Sequence, residues 1–151
     1  MLTVATPADL AAFVGKELGV GDWLLVDQER INRFAEATGD HQWIHVDAER
    51  AAREAPGGKT IAHGYLTLSL IPALSHSVFK IQRRKRGVNY GSDKVRFISP
   101  VPVGSRIRLR QKLLSATPIE GGYRFVYEAT VEIEGQERPA LVAQVISVAY
   151  S

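Results

Sequence analysis

The chain has 151 residues, 45% hydrophobic and 23% charged, a balance that excludes a disordered chain and points to one domain over residues 1–151. It has no cysteine, which excludes a disulfide scaffold, a thiol nucleophile, a thiolate zinc site and an iron–sulfur cluster together. The net charge of +3 conceals an asymmetry: between Lys80 and Lys112, eleven basic residues face Asp93 alone, a local net of +10. A region like this suits a polyanionic partner, and it equally suits a solvated sheet face beside a basic loop; charge alone does not choose. The N-terminal MLTVATPADL has no basic n-region or long apolar h-region, and no apolar run approaches the roughly 18 residues that span a bilayer. The expectation is a soluble, cytoplasmic protein with no membrane partner.

In chain order, apolar spacing predicts a short helix over 7–18, with Leu10, Phe13, Val14 and Leu18 on one stripe. Asp22–Val26 reads as a short strand. Asp27 is placed to cap a helix over 28–38, and Gly39 to end it in the left-handed conformation. Asp40–His45 is then a turn, and Asp47 caps a second helix through Glu54. Gly64 opens the most hydrophobic helical stretch, through Phe79, apolar nearly all round and so read as buried. Pro72 predicts a kink near Leu68. Thereafter the period is two, with strands over 87–98, 104–115, 122–134 and 138–150 and hairpin turns at Gly121-Gly122 and Glu134-Gly135-Gln136. Helices early and strands late give an α+β fold, a sheet wrapped on one helix, with edges that a second subunit would cover.

Two segments carry candidate chemistry. In Asp40-His41-Gln42-Trp43-Ile44-His45, a carboxylate and an imidazole five residues apart can converge on one water molecule. The spacing alone reads more readily as a turn-capping Asp and a surface His. In Thr60-Ile61-Ala62-His63-Gly64, a helix N-terminus offers unpaired N–H groups, and Gly64 admits a ligand to the backbone or else a packed neighbour. His41 and His45 do not form a metal site, since no metal-binding helix continues past Gly39. His76 reads as a core or interface histidine. No G-x-S-x-G elbow, phosphate-binding loop or dinucleotide glycine fingerprint is present.

Taken in order, Ala37-Thr38-Gly39-Asp40 with His45, Ile61-Ala62-His63-Gly64, Asn89-Tyr90-Gly91, Lys94-Val95-Arg96-Phe97 and Pro100-Val101-Pro102-Val103-Gly104 resemble the MaoC-like hydratases, in the nodulation-protein-N-like branch. The resemblance runs from about Asp22 to Tyr150. It implies a hot-dog fold, a homodimer, and reversible hydration of trans-2-enoyl-CoA to (R)-3-hydroxyacyl-CoA. It makes Asp40 and His45 the water-activating pair and the Gly64 N–H the oxyanion donor, with Gln42, Trp43, His63, Asn89 and Tyr90 against substrate. No metal or redox cofactor is implied, and the basic region becomes a candidate for the coenzyme A phosphates. Gln42 and Trp43 stand where much of the family carries Asn and Pro. The other readings are a hot-dog acyl-CoA thioesterase and a non-catalytic acyl-CoA-binding module; nucleic acid is not expected, since no aromatic platform interleaves the cations.

Overall fold

The computed structural model describes residues 1–151. Strand β1 (Leu2–Val4) leads to α1 (Pro7–Leu10), whose first turn is closed by a reciprocal Thr6–Asp9 capping box. The helix expected over 7–18 stops early. It ends in a 3-10 turn at Ala11–Phe13, and Gly15, at φ +85°, redirects the chain into β2 (Glu17–Val20), from which Leu18 is buried. β3 (Leu24–Val26) starts two residues later than expected. Helix α2 (Gln28–Thr38) has both of its end signals in place: the Asp27 side chain accepts from the Arg30 N–H, and Gly39, at φ +80°, donates to the Ala35 carbonyl.

The turn expected over Asp40–His45 is corrected at its far end. Gln42 is extended, and one helical turn restarts after it as α3 (Trp43–Val46), so His45 sits on a helix. Asp47 caps α4 (Ala48–Glu54) as expected.

The central helix runs as α5 (Gly64–Ser69) and α6 (Ile71–Ser75). The interruption falls at Leu70 rather than near Leu68, just before Pro72, whose nitrogen has no proton to donate. The helix ends at Ser75 rather than Phe79, because Phe79–Ile81 forms β4 and pairs in parallel with β1. Nor is it covered all round. Leu66, Leu70, Ile71 and Leu74 are buried, but Tyr65 is 69% exposed, and Ser69, Pro72 and His76 continue the same open stripe at spacings of four, three and four. His76 is therefore at the surface and not in the core.

The late strands are β5 (Arg86–Phe97), β6 (Ser105–Ile119), β7 (Gly122–Ile133) and β8 (Leu141–Tyr150). The β6–β7 turn centres on Glu120-Gly121, one residue earlier than expected. Together with β2 and β3 they make one antiparallel sheet in the order β2-β6-β7-β8-β5, with β3 also on β6. Its inward rows, Ile107, Leu109 and Leu113 of β6 and Phe125, Tyr127, Ala129, Val131 and Ile133 of β7, join the buried face of α5–α6 in one apolar cluster. This is the α+β hot-dog arrangement. β5 is an edge, with only β8 beside it, and most of its residues are exposed. No helix is long and apolar enough to cross a membrane.

Candidate active site

The site is assembled by backbone bonds between three loops. The segment Thr60–Ala62 lies between α3 and the Val101–Val103 loop: the Ile61 N–H donates to the Ile44 carbonyl, the Ala62 N–H to Val101, and the Val103 N–H to Thr60. Gln28, on the first turn of α2, ties these pieces from the side. Its Nε2 donates to the His45 carbonyl at 2.8 Å and to Asn32 Oδ1, and its Oε1 accepts from the buried Thr60 hydroxyl at 2.6 Å. The sequence reading named Thr60 within its second candidate segment but missed Gln28 and the bond between them, since the two lie 32 residues apart and share no local motif.

Asp40, His45 and His63 come together. A carboxylate oxygen of Asp40 and one ring nitrogen from each histidine lie within 4.8 Å of one another. Asp40 is exposed, while His45 is 7% and His63 3% exposed. The imidazoles stack, with centroids 3.8 Å apart, and Phe34 packs against His63. His45 Nδ1 lies 2.7 Å from the Ile61 carbonyl oxygen. A carbonyl only accepts, so Nδ1 carries the proton and Nε2 keeps the lone pair of a base. His63 Nε2 donates in the same way to the Asp40 carbonyl at 3.0 Å, and its Nδ1 is buried with no partner. An Asp and two His are also a donor set seen at metal sites, but stacked rings keep their in-plane lone pairs in two separate, nearly parallel planes, which do not meet at one ion.

Gly64 is the first residue of α5, so its N–H has no acceptor within the helix. The Phe97 ring lies over it: a Cβ on Gly64 would sit 2.9 Å from Phe97 Cδ1. Glycine here lets an aromatic ring close on the helix start, and Phe97, the last residue of the Lys94–Phe97 run that carries the resemblance, reaches it through the register of β5. The remaining sequence candidates divide. The Gln42 N–H donates to Asp40 Oδ1 while its side chain is in solvent. The Trp43 ring is stacked under the Arg50 guanidinium at 4.2 Å and does not line the large cavity. Asn89 does line it, whereas Tyr90 bulges outward under Arg124.

That cavity, of about 870 Å³, lies between the open stripe of α5–α6 and the inner sides of β5 to β8, and begins at Leu68 and Ser69, about one turn beyond Gly64. The basic region also divides. Arg106 pairs with Glu134, Arg108 with Glu132, and Arg110 with both Glu17 and Glu132, all across the outer sheet face. Burial pushes the Glu132 carboxyl up, but hydrogen bonds from Arg110 and Arg108 outweigh it and hold the group below its ordinary value. Those three arginines are the solvated-face reading. Lys80, Arg83, Arg84, Lys85, Lys94 and Arg96 form no ion pair.

Comparison with known proteins adds to this geometry. The MaoC like domain family matches residues 9–134. The 3-hydroxyacyl-thioester dehydratase Z of Mycobacterium tuberculosis is 49% identical over 147 residues, 97% of each chain. Nodulation protein N of Rhizobium leguminosarum bv. viciae is 52% identical over 144 residues, 93% of this chain and 89% of that one. The unliganded R-hydratase PhaJ1 of Pseudomonas aeruginosa superposes with a TM-score of 0.76 at 23% identity, covering 97% and 86% of the two chains.

Proposed function

The chain belongs to the MaoC-like domain family and is a hydro-lyase, and from that premise we propose that it adds water reversibly to trans-2-enoyl-CoA to give (R)-3-hydroxyacyl-CoA. One observation carries the reading: a carboxylate and an imidazole with a fixed tautomer lie within 4.8 Å of each other, next to His63 and the free N–H of Gly64 that follows it. No direct hydrogen bond joins the Asp40 carboxylate to the His45 ring, and groups this close suit two bonds meeting at one water oxygen. The thioester oxygen takes the Gly64 N–H, which draws electrons from C3. Asp40 holds the water, His45 Nε2 removes a proton, and the hydroxide oxygen bonds to C3. The π electrons move to the thioester oxygen as an enolate, whose collapse takes a proton onto C2 from the same pair. His63 serves by holding the Asp40 backbone and the His45 ring.

The acyl chain enters the cavity past Leu68 and Asn89. Lys94 and Arg96, at the same end of β5 as Phe97 and without acid partners, are the cations we assign to the coenzyme A phosphates. A second copy paired along β5 would cover exposed Val88, Tyr90 and Phe97, the Tyr65 stripe and the open side of the cavity. Sedimentation of the purified protein as a dimer supports that arrangement; a monomer at assay concentration removes it.

The test of the reaction is loss of the conjugated enoyl-thioester absorbance with crotonyl-CoA and a longer enoyl-CoA, followed by chiral analysis of the product. Asp40→Asn and His45→Gln are each expected to lower kcat/KM by about 10³-fold or more with the fold retained, in line with removal of a general base. Wild-type rates in both variants would falsify the assignment, and release of free thiol without hydration would replace it by a thioesterase.

A further inference from the structure

A cavity of about 870 Å³ is large for a short acyl group, near the top of the roughly 300–1,000 Å³ range of small-molecule sites. Its wall is apolar, with Ile71, Phe79, Val145 and Val148, but its floor is not. Gln111 occupies the inward row of β6 between Leu109 and Leu113 and is 3% exposed. Its Oε1 accepts from the Ser75 hydroxyl at 2.9 Å. Its Nε2 has no protein acceptor, yet His63 Nδ1 is the one sealed, unpartnered side-chain atom, so the Gln111 amide N–H faces the cavity. Beside it Tyr127, 4% exposed, lines the cavity with Ser147, and burial pushes its phenol up to about 12, so it remains an O–H donor. A row of polar groups in an otherwise apolar pocket costs stability unless something meets it.

Arg84 stands at the cavity rim. Its guanidinium lies flat against Gly87, where a Cβ would stand 3.0 Å from Nη1 and 3.1 Å from Cζ. It is exposed, has no carboxylate partner, and acts electrostatically on the Tyr127 phenol. Arg106, Arg108 and Arg110, by contrast, are all neutralised by glutamates. We propose that the cavity accepts an acyl chain ending in a carboxylate, with Arg84 meeting its charge and the Gln111, Tyr127 and Ser147 donors meeting its oxygens. This rests on the acyl-thioester reading above and names the class of acyl chain. Ser75 lies eleven residues beyond Gly64, about 16 Å along the helix at 1.5 Å per residue, so the preferred chain is long as well as terminally charged.

The experiment compares a twelve-carbon trans-2-enoyl-CoA with its ω-carboxylated counterpart. The wild-type protein is expected to favour the carboxylated substrate in kcat/KM by about tenfold or more, an Arg–carboxylate bond of roughly 1.4 kcal/mol. Arg84→Gln and Gln111→Leu are each expected to lower that ratio about tenfold; Arg84 is exposed, so its variant keeps the test readable if Gln111→Leu fails to fold. Binding of the two saturated acyl-CoAs by calorimetry repeats the comparison without chemistry. Tighter binding of the carboxylated form with no hydration of either enoyl-CoA upholds the proposal and removes the hydratase reading. Equal or methyl-favouring values in the wild type overturn the proposal. So does an Arg84→Gln variant that weakens both ligands alike, since Arg84 would then be meeting the coenzyme A part.

Discussion

Replacing Thr60 by Val preserves the shape of a side chain that is 1% exposed and removes only its hydroxyl. That hydroxyl donates to Gln28 Oε1 at 2.6 Å, and the same amide donates to the His45 carbonyl at 2.8 Å. A net hydrogen bond is worth about 1 kcal/mol, and the orphaned, half-buried Gln28 acceptor adds to it, so Thr60→Val is expected to cost about 1–2 kcal/mol. Gln28→Leu removes three bonds and strands the Thr60 hydroxyl in the interior, so roughly 2–4 kcal/mol is expected. The double variant leaves neither partner stranded and should be less destabilised than the sum by about 1 kcal/mol. Urea denaturation with an unchanged m-value measures each corner of the cycle. The same preparations report on chemistry: Gln28→Leu also frees the α3 backbone that carries His45, and should lower kcat/KM about tenfold more than Thr60→Val. Strictly additive energies, or wild-type kcat/KM in Gln28→Leu, would show that Gln28 fills space and does not place His45.

Two further outcomes concern pH. Glu132 is held below its ordinary value near 4.5 in the fold, so the stability it confers is present above that value and is lost as pH falls through the lower folded value. Glu132→Gln should reduce stability at pH 7 by about 1 kcal/mol and flatten the decline on acidification; an unchanged acid limb in the variant would refute the role of Arg110 and Arg108. Tyr127, pushed from 10.0 up to about 12 by burial, should appear in an alkaline absorbance titration as a late step. Its neutral form is favoured in the fold, so this contribution is complete below pH 10 and is lost as pH rises toward 12; Tyr127→Phe should delete the late step.

Features governed by neighbours in sequence were legible, and those governed by register were not. Asp27 and Gly39 bracket α2 through bonds that reach no further than four residues, and the inward row of β7 comes from strict alternation. The restart at α3 depends on the Ile44 and Ile61 backbones meeting, which no local spacing reports. Phe97 reaches Gly64 because β5 carries irregularities between Asn89 and Gly91 and between Asp93 and Arg96, each of which changes the facing of the residues after it. The basic stripe of β6 was visible, but Glu132 and Glu134 come from the β7 side and Glu17 from β2, so its neutralisation was hidden until the strands were paired. The central helix was misjudged on one side only. Its open stripe of Tyr65, Ser69, Pro72 and His76 has enough apolar character to pass for core when counted, although only the opposite face packs directly on the sheet and a cavity separates the stripe from β5 and β8.

Both imidazoles at the site are aimed by main-chain oxygens, His45 by that of Ile61 and His63 by that of Asp40. Every residue brings such an oxygen, whatever its side chain. Ile61 can therefore drift among residues of similar bulk without disturbing the tautomer of His45, and Asp40→Asn takes away the carboxylate while leaving His63 its acceptor. Inherited variation cannot erase these two acceptors one letter at a time. They are lost when the path of the chain changes, by an insertion or deletion within 40–62 or a residue that bends the backbone there, so gaps in that stretch should be rarer than substitutions among descendants that keep the chemistry.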